Sequence, residues 1–157
     1  MMQSKRAQAV QWLTFRLEAG EYALDIRDVI EVLSMVALAP MPQAQPWLAG
    51  MLNLRGRVMP VIDLRRRLGL TPRPYGLDTP IIVVRQADRP VGLIVDEAVE
   101  VLTLSEQALA APDALAGPDH AVRAIARLDD RLIMLLDLDR ICAGAPAAVP
   151  AAAGAEA

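Results

Sequence analysis

Residues 57–64 read RVMPVIDL, and residues 131–138 read RLIMLLDL. Each is an apolar run of about five residues closed by Asp-Leu, the pattern of a short buried strand. The chain continues as Arg65-Arg66-Arg67-Leu68-Gly69 after the first and as Asp139-Arg140-Ile141-Cys142-Ala143-Gly144 after the second. Asp63 and Asp137 are carboxylates placed to cap a helix, and glycine stands where each helix would stop. Outward from this pair lies a second one, LDIRDVIEVL at 24–33 and LIVDEAVEVL at 93–102. The separations, 69 and 74 positions, differ by one small insertion. Two similar β-units follow, Leu13 to Gly69 and Pro80 to Gly144, joined by the Pro/Gly-rich stretch from Thr71 to Pro80.

The rest of the chain fits that frame. Leu13, Phe15 and Leu17 alternate with Thr14 and Arg16, as in a half-buried strand. Tyr22–Ile26, Ile81–Val84, Val91–Val95 and Val99–Leu104 are further apolar runs. Turn chemistry separates them, at Gly20-Glu21, Arg55-Gly56, Asp88-Arg89-Pro90 and Asp129-Asp130. Many short strands with frequent turns predict a mainly β fold: two five-stranded barrels in a pseudo-two-fold arrangement. Each unit alone would be marginal, so a shared core is expected. Pro60 cannot donate to a central ladder and should mark an edge or a bulge.

Composition narrows the function classes. The 157 residues are 54% hydrophobic and 22% charged, enough for a packed core. A net charge of −3 and 3% aromatics argue against nucleic acid as a partner. Cys142 and His120 are the lone cysteine and histidine, so neither an internal disulfide nor a His/Cys metal cluster can be built. Residues 1–11 lack the apolar core of a signal peptide, and no apolar run reaches eighteen residues. A cytoplasmic protein without direct membrane insertion is expected. Residues 1–10 read as a flexible N-terminus, 11–143 as a single domain, and 144–157, an Ala/Pro tract, as a disordered tail.

No catalytic constellation emerges. Ser34 and Ser105 lack a nucleophile-elbow setting, and there is no glycine-rich phosphate loop. Cys142 reads as a small buried apolar residue and His120 as a solvated loop residue. Asp129-Asp130 reads as hairpin chemistry, and Asp25, Asp28 and Glu31 as a solvated face more than a metal site. Arg65-Arg66-Arg67 reads as a solvated charge run. Neither enzyme chemistry nor a cofactor is expected; a binding module is.

The segment Pro46 to Leu70, PWLAGMLNLRGRVMPVIDLRRRLGL, resembles the signature stretch of the CheW family. Tyr22-Ala23-Leu24-Asp25-Ile26 with Val29, Glu31 and Val32 is similar to the family's upstream block. Val91-Gly92-Leu93-Ile94-Val95-Asp96 followed by Val99-Glu100-Val101 is similar to its downstream block. The likeness runs in order over Leu13 to Ile141. It implies two intertwined SH3-like barrels around a common core, with no enzymatic activity. It also implies an adaptor between the cytoplasmic tip of chemoreceptors and the regulatory domain of the histidine kinase CheA, in a membrane receptor array.

Residue by residue, the resemblance marks Arg55 with Gly56, Glu31, Val29 and Gly50 as partner-binding positions. It implies a receptor groove, for which Ile26, Val29, Ile30 and Val99 are the candidate liners. A Glu31–Arg55 ion pair holding the binding surface in shape is a further expectation. Relatives serving twitching motility or surface sensing are an alternative. A small-molecule-binding β-barrel is a weaker one, which would need a lined, closed pocket.

Overall fold

The computed structural model describes residues 9–42, 44–105, 109–110, 121–146 and 149–150. His120, the first eight residues and most of the Ala/Pro tract lie outside them. The first half supplies β1 (Val10–Leu17), β2 (Gly20–Asp25), a 3-10 turn (Ile26–Asp28), β3 (Val29–Ser34), β4 (Leu48–Leu54), β5 (Arg57–Asp63) and helix α1 (Leu64–Arg67). The second half supplies β6 (Pro80–Gln86), β7 (Arg89–Ile94), β8 (Glu97–Leu104), the short β9 (Leu109–Ala110), β10 (Val122–Leu128), β11 (Arg131–Leu136) and helix α2 (Leu138–Cys142). A last two-residue strand, β12, spans Val149–Pro150. Both helices start as the sequence predicts. Asp63 accepts from the backbone N–H of Arg66, and Asp137 from that of Arg140.

The sequence halves are not the sheets. One sheet runs β8-β1-β2-β11-β10-β9, and the other runs β12-β5-β7-β6-β3 with β4 on β5. Each sheet therefore takes a hairpin from one half and the remaining strands from the other. The first sheet joins β1 and β2 to β8, β10 and β11; the second joins β6 and β7 to β3, β4 and β5. The contacts between halves repeat as well. β2 runs parallel to β11 and β7 parallel to β5, while β1 pairs β8 and β6 pairs β3 antiparallel. The barrels are thus intertwined by strand exchange, as sheets of five main strands, each extended by a two-residue strand (β9 or β12), whose hydrogen-bonded ladders stay open.

Even the irregularities obey the repeat. Ile30 is skipped in the register of β3 on β6, and Val99, 69 positions on, is skipped in that of β8 on β1. Ala49 is skipped in β4, and Arg123, 74 positions on, in β10. A β-bulge kinks its strand and re-aims a side chain, so the repeat preserves strand direction as well as strand order.

Exchange places the main core between the sheets. Leu13, Phe15, Leu17 and Leu24 of the first half pack with Leu93, Val95, Leu136 and Ile141 of the second. Smaller clusters line each sheet, around Trp12, Ile133 and Leu135 in one and Leu52, Met59 and Ile81 in the other. Pro60 lies with Met59 in the gap on the β5 flank between β12 and β7, a position that tolerates a missing N–H. Cys142 is buried at the foot of α2, where desolvation pushes its thiol up to about 12.

Candidate partner-binding site

The sequence-predicted positions converge on the end of the second sheet. β4 and β5 form a tight hairpin whose two turn residues, Arg55 and Gly56, have φ of 50° and 82°. Two successive positive φ values define the turn whose twist suits a β-hairpin. Ala87-Asp88 in the β6–β7 turn adopts the same conformation, so hairpin geometry and not function dictates the backbone of Arg55. Its side chain carries the distinction. It is about two-thirds exposed, and both its terminal nitrogens donate to Glu31 on β3, one of them at 3.1 Å to Oε1. The expected pair is therefore formed, as a fork on a carboxylate. Arg55's hydrogen bonds hold the Glu31 carboxyl below the usual range, and Glu31 raises the guanidinium in return.

Glu31 belongs to an edge strand, since among the described residues β3 pairs with β6 alone. Its neighbours Ile30 and Val32 are 42% and 44% exposed. Exposure alternates along β3, which puts Ile30, Val32 and Ser34 on its outer face even though the register shifts at Ile30. Exposed apolar side chains around a clasped arginine form an amphipathic patch of the kind found at interfaces. Val29, the first residue of β3, is half-buried against the main core. Gly50 is buried, with φ of 152°. A Cβ there would lie 2.6 Å from the carbonyl oxygen of Ala39, whose backbone exchanges hydrogen bonds of 2.9 and 2.8 Å with Met51. Gly50 thus shapes β4 from within and presents no side chain to a partner.

The groove candidates separate. Ile26 lines a cleft of about 480 Å³ with Trp12, Arg27, Leu104 and Arg123. Val29, Ile30 and Val99 are not among its walls. Ile30 and Val99 instead occupy matching bulges on edge strands of different sheets.

That correspondence exposes residues the sequence reading missed. Glu100 stands 69 positions after Glu31 and also accepts from an arginine, Arg131 at the β10–β11 hairpin, at 2.8 Å. Arg131 is also bonded to Glu21, at 3.1 Å from its Nε and by a further bond from its terminal nitrogen, and the two glutamates raise its guanidinium. Val99 and Val101 flank this second clasp as Ile30 and Val32 flank the first. The offset of 69 carries Glu31 onto Glu100, but Arg131 lies 76 positions after Arg55, outside both offsets, so the repeat signalled the carboxylate and not its arginine.

The arginine run corrects another expectation. Arg65 is buried and donates to Asp96 at 2.8 and 2.7 Å and to the carbonyl of Thr71 at 2.7 Å. Arg67 stacks on Trp47 at 5.2 Å and donates to the carbonyls of Ile141 and Arg140. A helix starting directly at a strand end has no stem to lift it from the barrel, so its side chains meet the body. A cleft of about 520 Å³ beside it, lined by Asp63, Arg65, Arg73, Tyr75 and Asp96 among others, is predominantly polar. Asp25 gives both carboxylate oxygens to Arg27. Among the described residues no group of three His, Cys, Asp or Glu is placed to hold a metal. No helix among them is long and apolar enough to cross a membrane.

Compared with known proteins, residues 11–145 match the family model of the CheW-like domain. A chemotaxis protein CheW of Bacillus subtilis is 33% identical over 131 residues, covering 82% of this chain and 84% of its own. One from Rhizobium meliloti is 31% identical over 82% and 84%. The crystal structure of the scaffolding protein CheW of Thermoanaerobacter tengcongensis superposes with a TM-score of 0.80 at 34% identity, covering 86% and 93%. Protein PilI of Pseudomonas aeruginosa is 32% identical over 60% of this chain and 53% of its own.

Proposed function

The chain belongs to the CheW family, and from that premise we propose that it is a non-catalytic adaptor of bacterial chemotaxis. It couples the cytoplasmic tips of chemoreceptors to the regulatory domain of the histidine kinase CheA, within a membrane-associated array. The observation that carries this reading is the Arg55–Glu31 clasp among exposed Ile30 and Val32 on an edge strand. An exposed guanidinium held rigid by a carboxylate has little side-chain entropy left to lose when a partner docks. Its remaining donor capacity and the apolar residues beside it suit a protein surface. Such a module acts by shifting the kinase between states, through differential contacts in each.

Calorimetric titration of the chain with the CheA regulatory domain of the same organism tests this. The reading predicts saturable binding, weakened several-fold by Arg55→Ala with the circular dichroism spectrum unchanged. Absence of saturation, with both proteins shown to be folded, would overturn it. A second reading, adaptor of a twitching-motility pathway, draws on the likeness to protein PilI. It predicts that a kinase of that pathway binds tighter than the chemotaxis kinase.

A further inference from the structure

The β5 strand carries an asymmetry that the repeat does not predict. On the flank away from β4, β7 covers only Val61–Asp63. The flank of Arg57 and Val58, next to the Arg55-Gly56 turn, is covered by β12, in the antiparallel register Val149 to Val58 and Pro150 to Arg57. The matching residues of the other sheet are Arg131 and Leu132, 74 positions on. There β2 pairs only from Ile133 onward, and Leu132 stands 54% exposed. The parallel partners sit two residues out of step, β2 on the counterparts of Met59–Val61 and β7 on Val61–Asp63; among the described residues, a further strand covers the flank beyond them only on β5.

The route to that edge is laid out in the residues after α2. Gly144 lies against the Trp47 indole, since a Cβ on it would sit 3.5 Å from Cζ2. Ala145 donates its N–H to Cys142 at 3.0 Å and packs on the main core. Pro146 lines a groove with Met41, Pro42 and Trp47. Pro150 has no N–H to offer a further strand, a device that ends a ladder at its outermost member.

We propose that Val149–Pro150 is an intramolecular strand that covers the outer flank of β5 beside the Arg55 turn and closes that edge to strand addition by another chain. The sequence of 144–157 reads as a disordered tail; the placement of Val149 and Pro150 makes those two residues a guard. An uncovered flank at Arg57–Val58 would present unpaired backbone groups beside the Arg55 turn, a template for edge-to-edge association. The guard acts only while it holds register, and two residues of pairing make it the readiest element of the sheet to open.

Cross-linking in the full-length chain tests the register. Residues directly opposed on antiparallel strands have Cα atoms about 4.5–5.5 Å apart, within disulfide range. The pair Val58→Cys and Val149→Cys is expected to oxidise at least about tenfold faster than Val58→Cys with Ala155→Cys. Buried Cys142 does not compete. Equal rates for the two pairs would show chance collision and overturn the proposal. In a second measurement, site-resolved hydrogen exchange compares the full-length chain with its Val149→Pro variant. The Arg57 or Val58 amide that points away from β4 should exchange about tenfold faster in the variant, while Arg131 and Leu132 stay unchanged. Identical exchange at that amide in both chains would likewise overturn it.

Discussion

Asp96→Ala should be among the most damaging single changes outside the apolar core. Asp96 follows β7 and ties three separated segments together. It accepts from Arg65 of α1 at 2.8 and 2.7 Å, from Arg73 of the connecting stretch at 3.3 Å, and from the backbone N–H of Glu18 in the β1–β2 turn at 2.7 Å. Removing one partner of a fully buried ion pair costs about 3–5 kcal/mol, because the remaining charge is left desolvated. Here the Arg65 and Asp96 side chains keep 10% and 13% exposure, and Glu18 remains 3.6 Å from Arg65. The expected loss is therefore about 2–3 kcal/mol. With a urea m-value of about 2 kcal/mol/M, the unfolding midpoint should fall by about 1–1.5 M.

The same residue sets a pH dependence. Arg65's hydrogen bonds hold the Asp96 carboxyl below its ordinary value, against the opposing pull of desolvation. A depressed folded-state pKa stabilises the protein above the unfolded value of about 3.9, and that contribution is lost as pH falls through the folded value. The gap in urea midpoint between wild type and Asp96→Ala should be constant from about pH 5 to 8 and close below about pH 4. A midpoint shift under about 0.3 M at neutral pH, or a gap that persists unchanged into acid, would refute the reasoning.

Other outcomes follow from single positions. Gly50→Ala should cost about 2–3 kcal/mol by urea unfolding, since a Cβ meets the Ala39 carbonyl oxygen at 2.6 Å in addition to backbone strain. Gly56→Ala, where a Cβ meets nothing within 4 Å, should cost only about 1 kcal/mol from its φ of 82°. Arg55→Ala and Glu31→Ala should weaken kinase-domain binding by similar factors, about five- to tenfold, and the double variant should be little worse than either, as expected of a coupled pair. Leu93→Ala, deep in the shared core, should lose about 2–5 kcal/mol by the same unfolding assay.

Much of this molecule was legible in its sequence because the repeat constrains both halves at once. RVMPVIDL and RLIMLLDL became β5 and β11 with their capped helices, and the offsets of 69 and 74 proved to hold down to the bulges. β3, β4 and β10 were harder to see. Bulges at Ala49 and Arg123 interrupt the two-residue period that marks a strand in β4 and β10, and β3 carries apolar residues on its exposed face as well as its inner one. Strand exchange was hidden for another reason: a repeat in sequence reveals two similar units but not which half's hairpin each sheet holds. At the site, the Glu31–Arg55 pair was anticipated from positions the resemblance marks, although Glu31 lies within β3 and only Arg55 sits at a turn. The burial of Arg65 was not, since a run of three arginines carries no sign of the carboxylate waiting 31 positions away.

Reconstitution is the sharpest test of receptor–kinase coupling by this chain. Receptor signalling fragments and CheA from the same organism are mixed with labelled ATP, with and without this chain, and kinase phosphorylation is followed. If the chain is the adaptor, receptors should change the phosphorylation rate only when it is present, and Arg55→Ala should blunt that effect while the chain remains folded. Receptor control of the kinase that is the same with and without the chain would contradict the account.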